Sequence, residues 1–314
     1  METGSIPVAD LPGGLDLQAT LESGQTFRWR RDDGQAYERE DPTGGSAWYY
    51  TVAGGSASGR DGGRDGHEVA PNDYEVVRVR QRDGLLEWEA TTDADDLLVE
   101  WLRLDDDLPA VFEAVPDDPL LADARAAYRG LRVVNDPFFP CLVSFICSAQ
   151  MRVGRIHGMQ TALAREFGES ITVEGETYHA FPTPERLAAA TESELRELGL
   201  GYRAPYVQRS AELVASGETT AADVAGRDYE EAREAMQAFV GVGDKVADCV
   251  LLFALGYLEA VPLDTWIQTA IADHYPDCER DSYAETSRAL RAAFGGEFAG
   301  YAQTYVFHYL RTRG

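Results

Sequence analysis

The stretch 239-FVGVGDKVADCVLLFALG-256 decides how this chain is read. It completes a helix, turns through VGVG at 240–243, and enters a second segment with apolar residues at helical spacing. Gly241 and Gly243 permit positive φ and close backbone approach. The pattern is a helical hairpin spanning about 229–256. Asp244 or the turn itself starts the second helix, whose first N–H groups have no partner within the helix. Such a terminus accepts an anion, and a DNA phosphate would suit it whatever the base sequence. A plain helix–turn–helix connection fits these residues equally well.

One residue sets the hairpin apart. The chain has 28 lysines and arginines together, and only Lys245 is a lysine. A surface charge tolerates arginine, but an amine nucleophile does not, because guanidinium keeps its proton at working pH. Lys245 sits in the first turn of the second helix, whose partial positive charge favours a free amine over an ammonium. The alternative is a lysine that pairs with phosphate. Nineteen residues on, AVPLDTWIQ places Asp264 after a proline at a helix start. An ordinary N-cap explains that aspartate. If GYLEAVPL folds the chain back towards Lys245, the carboxylate could also hold a proton and stabilise a cationic sugar.

Composition bounds the rest. The 314 residues allow two or three domains, and 44% hydrophobic content indicates a globular chain. Net charge is −26, which taken alone argues against nucleic acid. Acidity with almost no lysine also suits a salt-rich cytoplasm, where local charge decides partners. Residues 1–118 hold 27 acidic residues against 10 arginines, whereas 119–314 hold 27 against 18 basic ones, so an anion would meet the second part. Cys141, Cys147, Cys249 and Cys278 have no metal-like spacing, so no iron–sulfur cluster or zinc ribbon is expected. There is no secretion signal and no apolar run of about 18 residues. The expected setting is cytoplasmic, close to the nucleoid, with no membrane.

YEVVRVRQR, AWYYTVAG and GQTFRWR read as strands, with a Gly/Asp/Arg loop at 54–68. From DDLLVEWLRL onward the helical pattern dominates. The fold class is α+β: an antiparallel β domain over 1–118, then an all-α helix–hairpin–helix region over 119–314.

GVGDKVADCVLLFAL…AVPLD resembles the helix–hairpin–helix, Gly/Pro-rich loop and Asp of the base-excision DNA glycosylases, above all the 8-oxoguanine DNA glycosylases with lyase activity. SGQTFRW (23–29), DPFFPCLVSFICSAQ (136–150), LGLGYRAPYV (198–207) and GYAQTYVF (300–307) each resemble a motif of that family, in order. The resemblance implies two helical subdomains beside the β domain and damaged duplex DNA as partner, with the target base flipped into a pocket. It assigns Lys245 as the Schiff-base nucleophile and Asp264 as the stabilising carboxylate. Gly24 would offer its carbonyl to the N7 hydrogen that 8-oxoguanine has and guanine lacks. Gln303 would read the Watson–Crick edge, Phe307 and Cys249 would sandwich the base, and Phe253 would line the pocket. Gln150, Arg155, Tyr202 and Arg203 would fill the duplex hole and read an opposite cytosine, with Tyr202 as a wedge. Gly241 and Gly243 would bring backbone to phosphate. Carbonyls of Gln237, Phe239 and Val242 would bind K⁺ or Na⁺, with no other cofactor and a monomeric enzyme. Taken singly, Gly24 reads as a turn glycine, the pocket residues as helix core, and Tyr202 and the arginines as core or solvated side chains.

Two departures stand out. Gln150 replaces the usual hole-filling Asn, and Trp266 replaces a frequent His two residues after the Asp. Both bear on DNA contacts, not on the Lys–Asp pair. An alkylated-purine glycosylase would need Asp264 but no hairpin lysine. An oxidised-pyrimidine enzyme would keep the lysine but usually carries a C-terminal four-cysteine cluster. A non-catalytic DNA-binding protein would need neither Lys245 nor Asp264.

Overall fold

Alternating side chains build the first layer. In this computed structural model, which describes residues 1–38, 46–54 and 74–313, the N-terminal part holds β1 (Glu2–Pro7), α1 (Leu17–Glu22), β2 (Arg30–Arg31), β3 (Tyr49–Ala53), β4 (Glu75–Arg82) and β5 (Leu85–Ala90). The strands form an antiparallel sheet in the order β1-β5-β4-β3-β2. Along β4, Val77 and Val79 point into the core opposite Ala90 and Trp88, while Arg78 pairs with Glu89 and Arg80 with Glu87 on the other face. Gly4 in β1 lies opposite Trp88, and a Cβ there would come within 2.3 Å of the indole.

GQTFRWR departs from expectation, since only Arg30–Arg31 is strand. Gly24 has φ 98, which breaks an extended run. The loop is held instead by the buried Gln25 side chain. Its Nε2 donates to the carbonyls of Thr20 (2.8 Å) and Arg132 (2.7 Å), and its Oε1 accepts from Val134 N–H (2.9 Å). A side chain does the work a neighbouring strand would do.

Helices follow: α2 (Asp95–Trp101), α3 (Leu108–Ala114), α4 (Pro119–Ala127), α5 (Phe138–Ile146), α6 (Val153–Phe167), α7 (Pro184–Ala189), α8 (Glu192–Glu197) and α9 (Ala204–Ala215). After these come α10 (Tyr229–Met236), α11 (Asp244–Ala254), α12 (Thr265–His274), α13 (Tyr283–Ala293) and α14 (Ala299–Arg313). Asp107, Asp118, Thr183, Thr191 and Ser282 cap their helices through side-chain oxygens. The expected boundary at 118/119 falls between α3 and α4. The helical region also carries β6 (Ser170–Val173) and β7 (Glu176–His179), a hairpin turned through Glu174 and Gly175 at positive φ. The sequence reading passed over it, because a four-residue run inside helical flanks carries little periodicity. It packs on the sheet, with Tyr178 edge-on to Tyr50 at 5.2 Å and buried with Val52 and Val76. The Gly-rich 54–68 loop lies, apart from Gly54, outside the described residues.

Two cores result. One joins the sheet to α1 and α2; the larger one gathers α3 to α14. Between them lies Arg132, fully buried, donating to the carbonyls of Pro12, Gly14, Arg103 and Asp106.

Candidate active site

The hairpin forms α10 and α11, but the first helix ends at Met236, so the connection runs through 237–243 and is longer than the expected turn. Amides of Gln237, Ala238 and Phe239 reach back to the carbonyls of Glu234, Ala235 and Met236, a tightened ending. Gly241 then takes φ 84 against the Tyr206 ring. Gly243, having no side chain, caps α11 without a side-chain hydrogen bond, and Asp244 in the first turn accepts from Gln237 Nε2 (2.8 Å). The first N–H groups of α11 are therefore left without a side-chain acceptor at its N-cap.

Lys245, half-buried in the first turn of α11, points inward. Its Nζ donates to Ser148 Oγ (2.8 Å) and stands 5.5 Å from the centre of the Phe145 ring. Phe145 stacks on Phe253 at 5.5 Å and meets Phe27 edge-on at 6.0 Å. Cys249 lies one helical turn below Lys245. Burial pushes its thiol up to about 12 against the Lys245 charge, with Asp264 and Asp248 adding, so it is a neutral thiol. Asp264 is the N-cap of α12, accepting from Ile267 N–H (2.9 Å). Burial raises its carboxyl, while the Ile267 and Trp266 amides and the Lys245 charge hold it down. The ordinary capping role and proximity to Lys245 thus hold together.

A second group faces the first. Gln303 of α14 is buried and donates to Pro262 O (3.4 Å), two residues before Asp264. One turn further, Phe307 is half-exposed and flanks Gly24: a Cβ at Gly24 would be 3.3 Å from its ring and 3.0 Å from Val153. Arg311 ties the same helix to the Gly24 loop by donating to Glu22 O (2.6 Å). An amine, a thiol and a carboxylate thus meet at the starts of α11 and α12, while from α14 the Gln303 amide reaches the loop before Asp264 and the Phe307 ring flanks Gly24.

Residues 8–142 match the 8-oxoguanine DNA glycosylase N-terminal domain, and residues 143–294 match the HhH-GPD superfamily base excision DNA repair protein model. A probable N-glycosylase/DNA lyase of Methanothermobacter thermautotrophicus is 33% identical over 63% of this chain and 69% of its own length. The chain belongs to the HhH-GPD superfamily. It is an enzyme of that superfamily, a DNA N-glycosylase with lyase activity. The N-glycosylase/DNA lyase of Saccharomyces cerevisiae is 33% identical over 81% of this chain and 66% of its own. A solved Clostridium acetobutylicum 8-oxoguanine glycosylase/lyase, in complex with duplex DNA containing cytosine opposite 8-oxoguanine, superposes with TM-score 0.76 at 27% identity, covering 95% of this chain and 92% of that one.

The rim of this HhH-GPD site is knitted together near the hairpin. Tyr202 is 53% exposed and meets Tyr206 edge-on at 6.2 Å. With Val240 these are the exposed large apolar side chains among the described residues, and they border the Gly241 turn. Gln150 is exposed with φ 53, and exposed Arg155 approaches Gly199. Arg203 differs from the expected DNA contact: it is buried and donates to the Ala149 carbonyl, beside Gln150, with its guanidinium 4.3 Å from the Tyr202 ring centre. Its Nη2 is tied to the backbone beside Gln150 and its guanidinium lies over the Tyr202 ring, away from solvent. For the cation, Phe239 O accepts from Val242 N–H (3.2 Å), while among the described residues the Gln237 and Val242 carbonyls accept no hydrogen bond. Those two free oxygens suit a hard monovalent ion.

Sequence reading missed Ser148 and Phe145, which hold the lysine, and Gln25, which shapes the glycine loop. All three lie inside motifs already singled out: Gln25 beside Gly24, Ser148 two residues before Gln150 and Phe145 five before it. It also missed Asp248, the only acid inside the apolar run of α11, a signal visible without the structure.

Proposed function

We propose that this glycosylase/lyase removes 8-oxoguanine paired with cytosine in duplex DNA through a Lys245 Schiff base, then nicks the strand. The observation that carries it is the half-buried Lys245 amine between Ser148, Cys249 and Asp264, opposite a glycine loop backed by Phe307. The matched N-terminal family model and the Clostridium complex support the substrate.

The flipped base stacks between Phe307 and Cys249, whose neutral thiol leaves the pocket uncharged. The Gly24 carbonyl accepts N7–H of 8-oxoguanine; guanine would set two acceptors face to face, an unpaired buried contact costing ~1–3 kcal/mol. Lys245 Nζ forms a bond to C1′ as the C1′–N9 pair of electrons leaves with the base, which takes up a proton. Asp264 stabilises the positive charge that develops on the sugar and accepts the proton that the attacking nitrogen sheds. Ring opening leaves an imine. Loss of a C2′ proton then breaks the C3′–O bond, and water frees the lysine. Tyr202 wedges the duplex, Gln150 and Arg155 face the estranged cytosine, and the α11 N-terminus takes a phosphate. A K⁺ or Na⁺ held by Gln237, Phe239 and Val242 carbonyls would add positive charge beneath that phosphate. The enzyme acts as a monomer.

Borohydride trapping on a duplex with one 8-oxoguanine opposite cytosine, in ~2 M KCl to screen the acidic surface, tests the reading. An adduct with wild type and none with Lys245→Arg is expected. Base release without any adduct would instead make water with Asp264 the operative pair. Neither release nor adduct from folded protein would remove this substrate.

A further inference from the structure

The hairpin lysine and the loop aspartate belong to different helices, so something must set their separation. The described contacts run through one buried carboxylate. Asp248 is fully buried on α11, three residues after Lys245. Its Oδ1 accepts from Tyr229 OH of α10 (2.7 Å), and its Oδ2 accepts from Tyr283 OH of α13 (2.8 Å). Arg233 Nη1 lies 3.9 Å from Oδ2. The Tyr283 oxygen has a second bond: it accepts from the backbone N–H of Leu263 (3.0 Å), the residue directly before Asp264. One hydroxyl therefore bridges the lysine helix and the aspartate loop.

The alternatives to that bridge are few. Asp264 is tied to its own helix through Ile267, and its loop is otherwise bonded by Gln303 to Pro262 O at 3.4 Å, a long contact whose amide the flipped base would recruit. Ser287 Oγ reaches Val261 O at 3.4 Å, equally long. The Tyr283 bonds are the shorter ones: its hydroxyl donates to Asp248 Oδ2 (2.8 Å) and accepts from the Leu263 amide (3.0 Å), so moving either partner leaves a buried polar group without its bond.

We propose that Tyr283 is a positioning residue, fixing Asp264 relative to Lys245 by hydrogen-bonding Asp248 on one side and the Leu263 amide on the other. The proposal rests on the Lys245–Asp264 chemistry above. Tyr283 contacts neither substrate nor reacting atoms; it acts through the loop. Removing the hydroxyl leaves the Leu263 amide unpaired and frees the loop, while the amine keeps its own partners, Ser148 and the Phe145 ring. The expected result is therefore selective. Base excision needs both groups in register, whereas imine formation on a pre-existing abasic site has no base to expel and needs the amine far more than the carboxylate.

The test compares full-length wild type, Tyr283→Phe, Asp264→Asn and the double variant on two duplexes, one with 8-oxoguanine opposite cytosine and one with an abasic site. Single-turnover base release, borohydride trapping on the abasic duplex and the thermal midpoint are read for each. For Tyr283→Phe, base release should fall ~10-fold or more, about one hydrogen bond to a charged group, with abasic trapping within about twofold of wild type. In the double variant the loss should not exceed that of Asp264→Asn, because both act on one carboxylate. Equal losses on both duplexes, in step with a lower midpoint, would make Tyr283 merely structural. Undiminished release by Tyr283→Phe overturns the inference alone. A wild type that releases no 8-oxoguanine overturns the substrate reading and this inference together, and shows itself before any variant is compared. If Tyr283→Phe folds poorly, Asp248→Leu, which removes the acceptor, reads the same bridge from its other end, and unchanged release there is equally fatal.

Discussion

Asp248 shows how one residue can carry a pH dependence. Burial pushes its carboxyl up to about 7, while hydrogen bonds from Tyr229 and Tyr283 and the Arg233 charge oppose that and Asp244 adds to it. The folded value lies above the ordinary 3.8, so the folded chain binds a proton that the unfolded chain has released. Stability from this group is full below about pH 4 and falls as pH rises towards about 7. Asp248→Asn cannot ionise and escapes that loss. Its thermal midpoint, relative to wild type, should climb between about pH 4 and about pH 7 and level off above. A midpoint difference that stays flat would mean the carboxylate is charged throughout. Lys245 and Asp264 were legible at this scale because their residue types are chemically unusual where they stand. Asp248 and Tyr283 were not named, since a hydroxyl and an acid far apart in sequence announce nothing until they meet.

At the scale of elements, the hairpin turn sorts its two glycines. Gly241 has φ 84, and a Cβ would lie 2.8–2.9 Å from the Tyr206 ring. Gly243 has ordinary negative φ and faces open space. Gly241→Ala should cost ~1–3 kcal/mol in urea unfolding, from left-handed strain and the clash together. Gly243→Ala should cost less than ~1 kcal/mol, since only an N-cap preference is lost, yet it should weaken duplex binding if a phosphate sits there. Equal unfolding costs would contradict this backbone geometry. The hairpin was recognisable because glycine pairs and helical periodicity are local signals. Its true length was not, because the α10 ending depends on three-residue backbone bonds that any side chain permits. For the same reason GQTFRWR passed as a strand: its loop form depends on Gln25 finding the Arg132 carbonyl and the Val134 amide more than a hundred residues away.

The whole molecule carries −26 of net charge, unequally shared between its parts. Self-repulsion of that size opposes folding and repels DNA, and salt relieves both, the screening length shrinking from ~10 Å at 0.1 M to ~3 Å at 1 M. The thermal midpoint should rise by several degrees between ~0.1 and ~2 M KCl, and duplex binding should lose less affinity with salt than a basic glycosylase does. A midpoint unchanged or lowered by KCl would remove the salt-adapted reading of the composition. Among the described residues, no helix is long and apolar enough to cross a membrane.

Sequence alone determined the class of fold and the order of its motifs, and pointed to Lys245 and Asp264 as the candidate amine and carboxylate, because periodicity, glycine turns and a solitary lysine are properties of neighbours along the chain. Only tertiary structure decided which partners hold them. Ser148 stands 97 residues from Lys245, and Tyr283 stands 35 from Asp248. Arg203 shows the same division: its type suggested a hand extended to DNA, but the fold turns it onto Ala149 O. The reason is physical. Burial and hydrogen-bond satisfaction are settled by what packs around a group, and that surrounding shell is assembled from segments the linear order keeps apart.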